Sequence, residues 1–448
     1  MDIDIIDTSG LGDRSYMVSQ DGVAAVIDPQ RDIDRVLALA ADRDVTITHV
    51  LETHIHNDYL TGGLELARAT GAQYAVSAAD EVAYERSAIS DGDVIDVGPF
   101  RFEVMHTPGH THTHVSYVLQ DAAGTAKGVF SGGSMLHGTT GRTDLLGADH
   151  TEELTHAQFH SVRRLAAELA DDVQVYPTHG FGSFCSASPA SGDSSTIAEQ
   201  RSTNPALTQD EQTYVDELIA GLSAYPAYYA HMGVINANGP APIDLSLPKP
   251  VDPSELRHRI DAGEWVVDLR NRTAFATGHL SGTMGFELST QFVTYLGWLY
   301  AWGSPLTLIG EDVDQIMDAR RELSRIGVDN VTGQAVGPIE MFTDGETLAS
   351  YRVSDFADLA DVIGTDSLTV LDVRQSNEFE DGHLVSAINI PLHELIARLD
   401  EVPRGDVWVH CESGYRASIA ASLIESPDRT VVLVDDQFEN VASHHLTG

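Results

Sequence analysis

Short apolar runs and amphipathic stretches alternate along the first 240 residues. Short apolar or alternating runs are typical of strands, whereas apolar residues recurring at helical spacing indicate helices. Strands are predicted at 4–8, 15–19, 24–28, 45–52, 102–107, 115–119, 129–131 and 174–177. Helices are predicted at 33–42, 64–69, 151–169 and 210–222. This alternation predicts an α/β fold for the first part of the chain.

A Pro- and Gly-rich segment separates this part from a second part that repeats itself. Residues 239–242 (GPAP) and 247–250 (LPKP) are typical of a linker. Beyond them, the pattern D-x-R followed by G-H-L occurs at 268–280 and again at 372–384. The Asp, Arg and His side chains of each copy are expected to tie a strand end to the neighbouring helix through charge-assisted hydrogen bonds. We predict domains at 1–240, 252–345 and 351–448, with a linker at 241–251.

Polar motifs follow the predicted strands, where an α/β sheet places its functional groups. His54 and His56 lie two residues apart in an extended loop, so their side chains point to the same side, and Asp58 follows two residues later. Imidazole and carboxylate groups are the usual ligands for zinc and non-haem iron. Further motifs are HTPGHT at 106–111, GRTD at 141–144 and VYPTHG at 175–180.

Taken in this order, the four motifs resemble the metallo-β-lactamase superfamily, and the GRTD block resembles its persulfide dioxygenase and glyoxalase II-like branch. The resemblance implies an αββα sandwich, with two sheets between layers of helices. It assigns His54, His56 and His110 to a first metal site, and Asp58 and His179 to a second.

The chain departs from that family pattern at two positions. Tyr59 stands where a further His is usual, and we expect it to be a packing residue. Gly133 stands where a bridging Asp is usual. The loss of both groups weakens two-metal hydrolysis, which needs two ions held close together. We therefore expect one metal ion, with Fe(II) favoured and Zn(II) as the alternative. Gly133→Asp is expected to raise metal occupancy if the fold places that position over the site. The extra imidazoles of His112 and His114 are expected at the surface, with metal ligation as the alternative.

A second candidate centre lies in the last repeat. A predicted strand at 407–410 leads into Cys411, and a predicted helix covers 418–423. A Cys between a strand end and a helix N-terminus gains from oriented N–H groups and the helix dipole, which favour the thiolate. A thiolate can attack a sulfane sulfur and hold it as a persulfide. Arg416 closes the loop with a positive charge.

The C-x-x-G-x-R loop, together with the repeated pattern, resembles the rhodanese domain. The resemblance assigns catalytic roles to Cys411 and Arg416, and a substrate loop to Glu412, Ser413, Gly414 and Tyr415. Glu412 makes an anionic donor such as thiosulfate less attractive than a thiol persulfide. The matching segment of the first repeat, 305–312, has no Cys, so 252–345 is predicted to be a degenerate copy. The aromatic stretch 292–302 is interpreted as packing, or else as a wall of the substrate pocket.

The formal net charge is −42, and Lys127 and Lys249 are the only lysines, which resembles a haloarchaeal surface. Salt screens such carboxylate repulsion, so stability is expected to depend on salt. The charge argues against nucleic acid and anionic membranes as partners. Cys185 and Cys411 are the only cysteines, so a disulfide framework is not expected. The expected compartment is a reducing cytoplasm. Cys185, six residues after His179, is either a sulfur relay or a structural thiol.

The expected fold class is therefore multidomain α/β, with a metallo-β-lactamase sandwich followed by two rhodanese-like domains. The resemblance implies oxidation of a low-molecular-weight thiol persulfide at the metal, and sulfur transfer to an acceptor through Cys411. Two alternatives stay open, namely a glyoxalase II-like thioester hydrolase and a degenerate metal domain that only scaffolds a sulfurtransferase. One iron supports the dioxygenase, two zinc ions the hydrolase, and no metal the scaffold. The oligomeric state, including a homo-oligomer, is left open.

Overall fold

A computed structural model describes residues 1–188, 190, 192–364 and 368–444. The chain divides into two compact units, Met1–Asp244 with Ser324–Gly327, and Leu245–Leu323 with Val328–Gly448. The division after Asp244 falls within the segment interpreted as a linker, while the exact domain bounds stay predictions. Within the described residues, no helix is both long and apolar enough to cross a membrane.

The first unit contains two six-stranded sheets. The first sheet has strands in sequence order, antiparallel from β1 to β3 and parallel from β3 to β6. Its strands are β1 (Asp2–Thr8), β2 (Asp13–Gln20), β3 (Val23–Ile27), β4 (Thr46–Leu51), β5 (Gln73–Ser77) and β6 (Ser87–Ile89). The second sheet has the order β12-β11-β10-β9-β8-β7 and is antiparallel except between β10 and β11. Its strands are β7 (Val94–Val97), β8 (Phe100–His106), β9 (Val115–Gln120), β10 (Ala126–Gly132), β11 (Gln174–Pro177) and β12 (Ser195–Thr196).

Helices cover the outer faces of both sheets. They are α1 (Asp34–Asp42), α2 (Gly63–Thr70), α3 (Ala148–Glu168), α4 (Ile197–Thr203), α5 (Pro205–Thr208), α6 (Glu211–Gly221) and α7 (Tyr229–Asn238). One buried apolar cluster joins the inner faces of the two sheets, for example Leu51 with Phe102 and Phe130. A second cluster packs α1 and α2 on the first sheet, and a third packs α3 and α6 on the second. These layers form an αββα sandwich, which confirms the predicted fold class.

The second unit contains two parallel sheets, one in each repeat. The first has the order β14-β13-β15-β16 and the second β17-β21-β20-β18-β19. The strands are β13 (Trp265–Asp268), β14 (Met284–Gly285), β15 (Leu306–Gly310), β16 (Val331–Val336), β17 (Arg352–Ser354), β18 (Leu368–Asp372), β19 (Ile388–Asn389), β20 (Gly405–His410) and β21 (Arg429–Val434).

The helices of this unit follow the strands. They are α8 (Pro253–Asp261), α9 (Arg272–Thr277), α10 (Phe292–Leu299), α11 (Val313–Arg325), α12 (Phe356–Val362), α13 (Ser376–Asp381), α14 (Leu392–Leu395) and α15 (Tyr415–Ile424), with 3₁₀ turns at Ile339–Phe342, Ile396–Glu401 and Phe438–His444. Sequence patterns predicted the strands that flank the candidate sites. They missed short elements such as β6, β12 and α5, because a few residues cannot display a period.

Each repeat closes the same polar tie between a strand end and a helix. Arg270 reaches Asp268 Oδ2 at 2.6 Å and donates to the carbonyl of Gly278 at 2.9 Å. Arg374 makes the matching bonds to Asp372 and Gly382, both at 2.7 Å. The hydrogen bonds predicted for the repeated pattern are thereby confirmed.

Candidate metal centre and thiol loop

Three buried imidazoles meet where β4, β8 and β11 end. A nitrogen atom from each of His54, His110 and His179 lies within 4.8 Å of the other two. The Nε2 atoms of His54 and His179 are 3.4 Å apart. Each of the three His residues lies in a loop directly after a strand. The strand ends therefore fix the position of these loops, and the loops orient the imidazole rings.

The other nitrogen of each ring is held by a protein group. His110 Nδ1 is 2.7 Å from the carbonyl oxygen of Arg142, which can only accept, so Nδ1 carries the proton. Thr53 Oγ1 donates to Asp28, and its oxygen therefore accepts from Nδ1 of His54 at 2.8 Å. Both rings thus present an unprotonated Nε2 to the cluster. Burial lowers the pKa of His54 well below its usual value and that of His110 to about 3, which keeps both rings neutral.

Two carboxylates hold the third ring. His179 Nδ1 lies 2.9 Å from Asp13 Oδ1 and 3.0 Å from Asp58 Oδ2. Burial opposes a charge on His179, but Asp58 and Asp13 outweigh it and raise its pKa to about 10. Carboxylates that favour an imidazolium also favour a metal cation, which displaces the proton on binding.

The residues present fit a metal ion. Within the described chain, Nε2 of His110 and Nδ1 of His56 are buried without a hydrogen-bond partner. Buried polar atoms normally have hydrogen-bond partners. Unpartnered atoms in one cluster are therefore consistent with a bound metal ion as their partner. Three imidazoles with nearby carboxylate suit zinc or iron.

His56 is held beside the three-imidazole cluster by other acids. Its Nε2 lies 3.3 Å from both Asp28 Oδ1 and Glu52 Oε2, and 3.0 Å from the hydroxyl of Tyr59. Burial opposes its charge, but Asp28 and Glu52 raise the pKa of His56 to about 9. His56 also forms a potential ligand group with Asp58 and His179. The Tyr59 ring stacks on His56 at 4.3 Å, in agreement with its predicted packing role.

The structure bears on two expectations about this site and corrects the second of them. A Cβ atom at Gly133 would lie 2.3 Å from Cδ2 of His110, so a side chain there would displace the ligand ring. Gly133→Asp would therefore crowd His110, and its effect on metal occupancy stays a prediction. His114 is buried rather than at the surface, and its Nε2 accepts from the backbone N–H of Gly133 at 3.0 Å. Its ring stacks on His54 at 5.0 Å and so supports the cluster.

The thiol loop joins β20 to α15. Cys411 is 1% exposed and follows the strand directly. Gly414 precedes α15 with φ of +84°, and a Cβ there would lie 2.0 Å from Asp435 Oδ1, so only glycine fits the turn. The first N–H groups of a helix have no partner within it, and α15 begins four residues after Cys411. Arg416 forms two bonds to Glu378, at 2.5 and 2.7 Å.

Comparison with known proteins matches both parts of the chain. The metallo-β-lactamase superfamily matches residues 9–179, and the rhodanese-like domain matches residues 355–444. Mitochondrial persulfide dioxygenase ETHE1 of Bos taurus is 30% identical over 211 residues, covering 46% of this chain and 72% of that protein. The chain belongs to the metallo-β-lactamase superfamily.

Other similar proteins include a second persulfide dioxygenase, a hydrolase and a solved metallo-β-lactamase structure. Human mitochondrial persulfide dioxygenase ETHE1 is 29% identical over 240 residues, covering 53% of this chain and 80% of that protein. A hydroxyacylglutathione hydrolase of Ectopseudomonas mendocina (strain ymp) is 36% identical over 159 residues, covering 35% of this chain and 56% of that protein. The crystal structure of a metallo-β-lactamase from Staphylococcus aureus subsp. aureus COL is 29% identical with a TM-score of 0.67, covering 75% of this chain and 99% of that one. The named relatives are enzymes. The superfamily match and the buried His and Asp groups together support a metal cofactor.

Sequence patterns missed three acids of the metallo-β-lactamase domain. Asp28, at the end of β3, accepts from the backbone N–H and hydroxyl of Thr53, both at 2.7 Å, and from the hydroxyl of Thr178. It therefore ties together two of the ligand loops. Asp13 and Glu52 are likewise buried beside His179 and His56. A charged residue inside or closing an apolar strand is the sequence signal that could have found them.

Cys185 lies in the metallo-β-lactamase domain with its thiol fully buried. Its carbonyl accepts from the backbone N–H of Arg142 at 2.8 Å, next to the carbonyl that holds His110. Burial raises the pKa of the Cys185 thiol well above its usual value, with Asp58 adding to the shift. A protonated thiol is a poor nucleophile, so this conformation does not favour a relay, which stays a prediction.

Proposed function

We propose that the chain is an enzyme of persulfide metabolism with two centres. The metallo-β-lactamase domain oxidises a low-molecular-weight thiol persulfide, and the rhodanese-like domain transfers sulfane sulfur through Cys411. The observation that carries the proposal is a thiol loop of rhodanese type in the same chain as a three-imidazole cluster. Relatives named persulfide dioxygenase support the first activity, and the rhodanese-like match over 355–444 supports the second.

Sulfur transfer needs a thiolate and a way to hold the transferred atom. The Cys411 thiolate attacks the outer sulfur of R–S–SH, a new S–S bond forms, and R–S⁻ leaves and takes up a proton. The N–H groups at the start of α15 favour negative charge on the sulfur. A thiolate or sulfite acceptor then takes the outer sulfur and restores the Cys411 thiolate, so no external oxidant is needed.

Persulfide oxidation follows R–S–SH + O₂ + H₂O → R–SH + H₂SO₃. His54, His110 and His179 would hold the metal ion, for which we favour Fe(II) over Zn(II). A bound Fe(II) supplies the one-electron chemistry with O₂ that amino-acid side chains lack. The chain's part is to hold the three rings: Thr53, the Arg142 carbonyl, and the Asp13–Asp58 pair fix their orientation. Burial of this cluster excludes bulk water.

The test combines metal analysis with two reactions. We expect one iron per chain after anaerobic loading, and oxygen uptake with sulfite release when a thiol persulfide is added. His110→Ala should lower the iron content and the oxygen uptake together. His112→Ala is the matched control, because His112 contacts His150 and is not part of the three-imidazole cluster.

Other outcomes would overturn parts of this proposal. Two tightly bound zinc ions with thioester hydrolysis would identify a glyoxalase II-like hydrolase. No metal after loading would leave the domain as a scaffold. Unchanged iron content in His110→Ala would remove His110 from the ligand set.

A further inference from the structure

An arginine of the first repeat forms an ion pair with an aspartate of the second repeat. Arg272 is the first residue of α9, and its Nε donates to Oδ1 of Asp435, directly after β21, at 2.9 Å. Its Nη1 donates to Oε2 of Glu287, in its own repeat, at 2.7 Å. The side chains of Arg272 and Asp435 are 27% and 15% exposed, so salt screens this pair less than a surface pair. Both repeats belong to one compact unit, and the pair is part of that unit's structure.

Asp435 lies against the thiol loop itself. A Cβ atom at Gly414 would lie 2.0 Å from Oδ1 of Asp435, the same oxygen that accepts from Arg272. Gly414 is three residues after Cys411 and directly precedes α15. The loop whose N–H groups favour negative charge on the sulfur therefore has a carboxylate packed against it, and Arg272 is bound to that carboxylate.

The repeated pattern explains why neither repeat could form this pair alone. Counted from the aligned Asp residues of the two copies, Arg272 corresponds to Ser376 in the second repeat. The strand registers place Val336 of the first repeat at the position of Asp435. The cation is therefore specific to the first repeat and the carboxylate to the second, so the pair exists only where the two repeats meet.

The other cations around the thiol loop already have carboxylate partners within the second repeat. Arg416 forms two bonds to Glu378. Arg374 is paired with Asp372 at 2.7 Å, and the carboxylate of Glu412 lies 3.8 Å from the same guanidinium. Carboxylates thus outnumber arginines on this side of the loop. Neither arginine is free to offset a further negative charge at Asp435.

The remaining titratable side chains near the loop are neutral at pH 7. Burial lowers the pKa of His393 and lowers that of His410, directly before Cys411, to about 4. Burial raises the pKa of Tyr295 and of Tyr415. The charge that these groups carry therefore does not change the balance between Arg272 and the acids around it.

We infer that Arg272 of the first repeat is a positioning residue for the Cys411 reaction, and that it offsets the negative charge of Asp435 against the thiol loop. A carboxylate without a cation beside a thiol disfavours the thiolate, which is the reactive form. The repeat that lacks a reactive Cys would then supply a cation that the other repeat needs. This inference rests on the proposed sulfur transfer by Cys411.

The experiment removes the two charges of the pair separately. Arg272→Met and Asp435→Asn break the same ion pair but change the local charge in opposite directions. Alkylation of Cys411 by iodoacetamide is followed across pH in the full chain by the mass of the peptide that contains it. We expect Arg272→Met to raise the midpoint of this profile by about one pH unit, as for one charge at about 10 Å and an effective dielectric constant of about 20. Asp435→Asn should lower the midpoint, and the double variant should lie between the two.

A matched control and a second reaction complete the test. Arg257 also bonds two carboxylates of the first repeat, Asp261 at 2.6 Å and Glu346 at 3.4 Å, so Arg257→Met should keep the wild-type midpoint. Persulfide formation on Cys411 with a thiol persulfide should be slower in Arg272→Met at pH 7. It should recover as the pH is raised, because a higher pH restores the thiolate.

The outcomes separate this inference from the proposed function. If wild-type Cys411 forms no persulfide, the sulfur-transfer proposal fails, and with it the role of Arg272 in that reaction. If the persulfide forms but Arg272→Met keeps the wild-type midpoint, only the inference fails. Midpoints that move in the same direction in Arg272→Met and Asp435→Asn would show damaged packing instead of a charge effect, and would also overturn it.

Discussion

The two repeats of the second unit have four parallel strands in the same order, but they differ in the loop that follows β15 in the first and β20 in the second. In the first, Leu269 donates its N–H to the carbonyl of Ile309 at 2.9 Å. In the second, Val373 makes the same bond to His410 at 3.1 Å. Ile309 therefore corresponds to His410, and the next residue, Gly310, corresponds to Cys411. The Asp–Arg tie is present in both copies and the thiol in only one, so this sheet forms without the thiol.

In the first repeat, the side chain of Gln315 fills the loop that follows β15. Counting on from Gly310, Gln315 stands at the position of Arg416. Its Oε1 accepts from the N–H of Glu311 at 2.8 Å, and its Nε2 donates to the carbonyl of Leu269 at 3.0 Å. Gln315 thus occupies the space and the amide that a persulfide would need. The first loop is thus closed by a neutral amide at the position where the second loop carries Arg416.

The largest expected effect is the loss of the thiol. Cys411→Ser should abolish persulfide formation, because the serine hydroxyl is a far weaker nucleophile and cannot hold sulfane sulfur. Intact mass after exposure to a thiol persulfide measures the gain of one sulfur. Cys185→Ala is the control and should still gain it. Sulfur transfer by Cys411→Ser at the wild-type rate would end the assignment.

The second effect tests whether the shared tie is structural in both repeats. Asp268→Asn and Asp372→Asn each remove the buried carboxylate that pairs with a buried Arg. Breaking a buried pair in this way costs about 3–5 kcal/mol, so both variants should lose stability to a similar extent. Urea unfolding measures the free energy of unfolding. A variant as stable as the wild-type chain would show that its repeat does not depend on the tie.

Sequence alone could predict the tie and the thiol loop because their residues lie close together in the chain. Cys411 and Arg416 are five positions apart, and their spacing is the signal. It could not predict Asp13, which meets His179 across 166 residues. The contact of Arg272 with Asp435 escaped for the same reason, since it depends on how two repeats pack. Gly133 was visible as a lost carboxylate, but the close approach of His110 that requires it was not.

A third prediction asks whether a thiol alone can convert the first repeat. Gly310→Cys should form no persulfide, because Gln315 fills the loop. A Cβ at Gly310 would lie 3.0 Å from Oε1 of Gln315 and 3.1 Å from Cδ1 of Ile316, so some overpacking is expected, about 1–3 kcal/mol. The measurement is made in the Cys411→Ser background, by mass and by urea unfolding. Sulfur gain by this double variant would show that the loops differ only in the thiol.

The smallest expected effect concerns the pair that accompanies the thiol. The spacing of the repeated pattern places Ala274 opposite Glu378, so the Arg416–Glu378 pair belongs to the second repeat alone.

Burial raises the pKa of Glu378, but Arg416 outweighs it, and the net shift is downward from 4.5. A lowered folded-state pKa contributes stability above about pH 4.5, and this is lost as the pH falls through the folded value. Because the Glu378 side chain is 30% exposed, we expect at most about 1 kcal/mol. Urea unfolding of Glu378→Gln and wild type at pH 7 and pH 3.5 measures it. The difference between the two proteins should shrink at the lower pH, and a difference that grows on acidification would contradict the assigned direction.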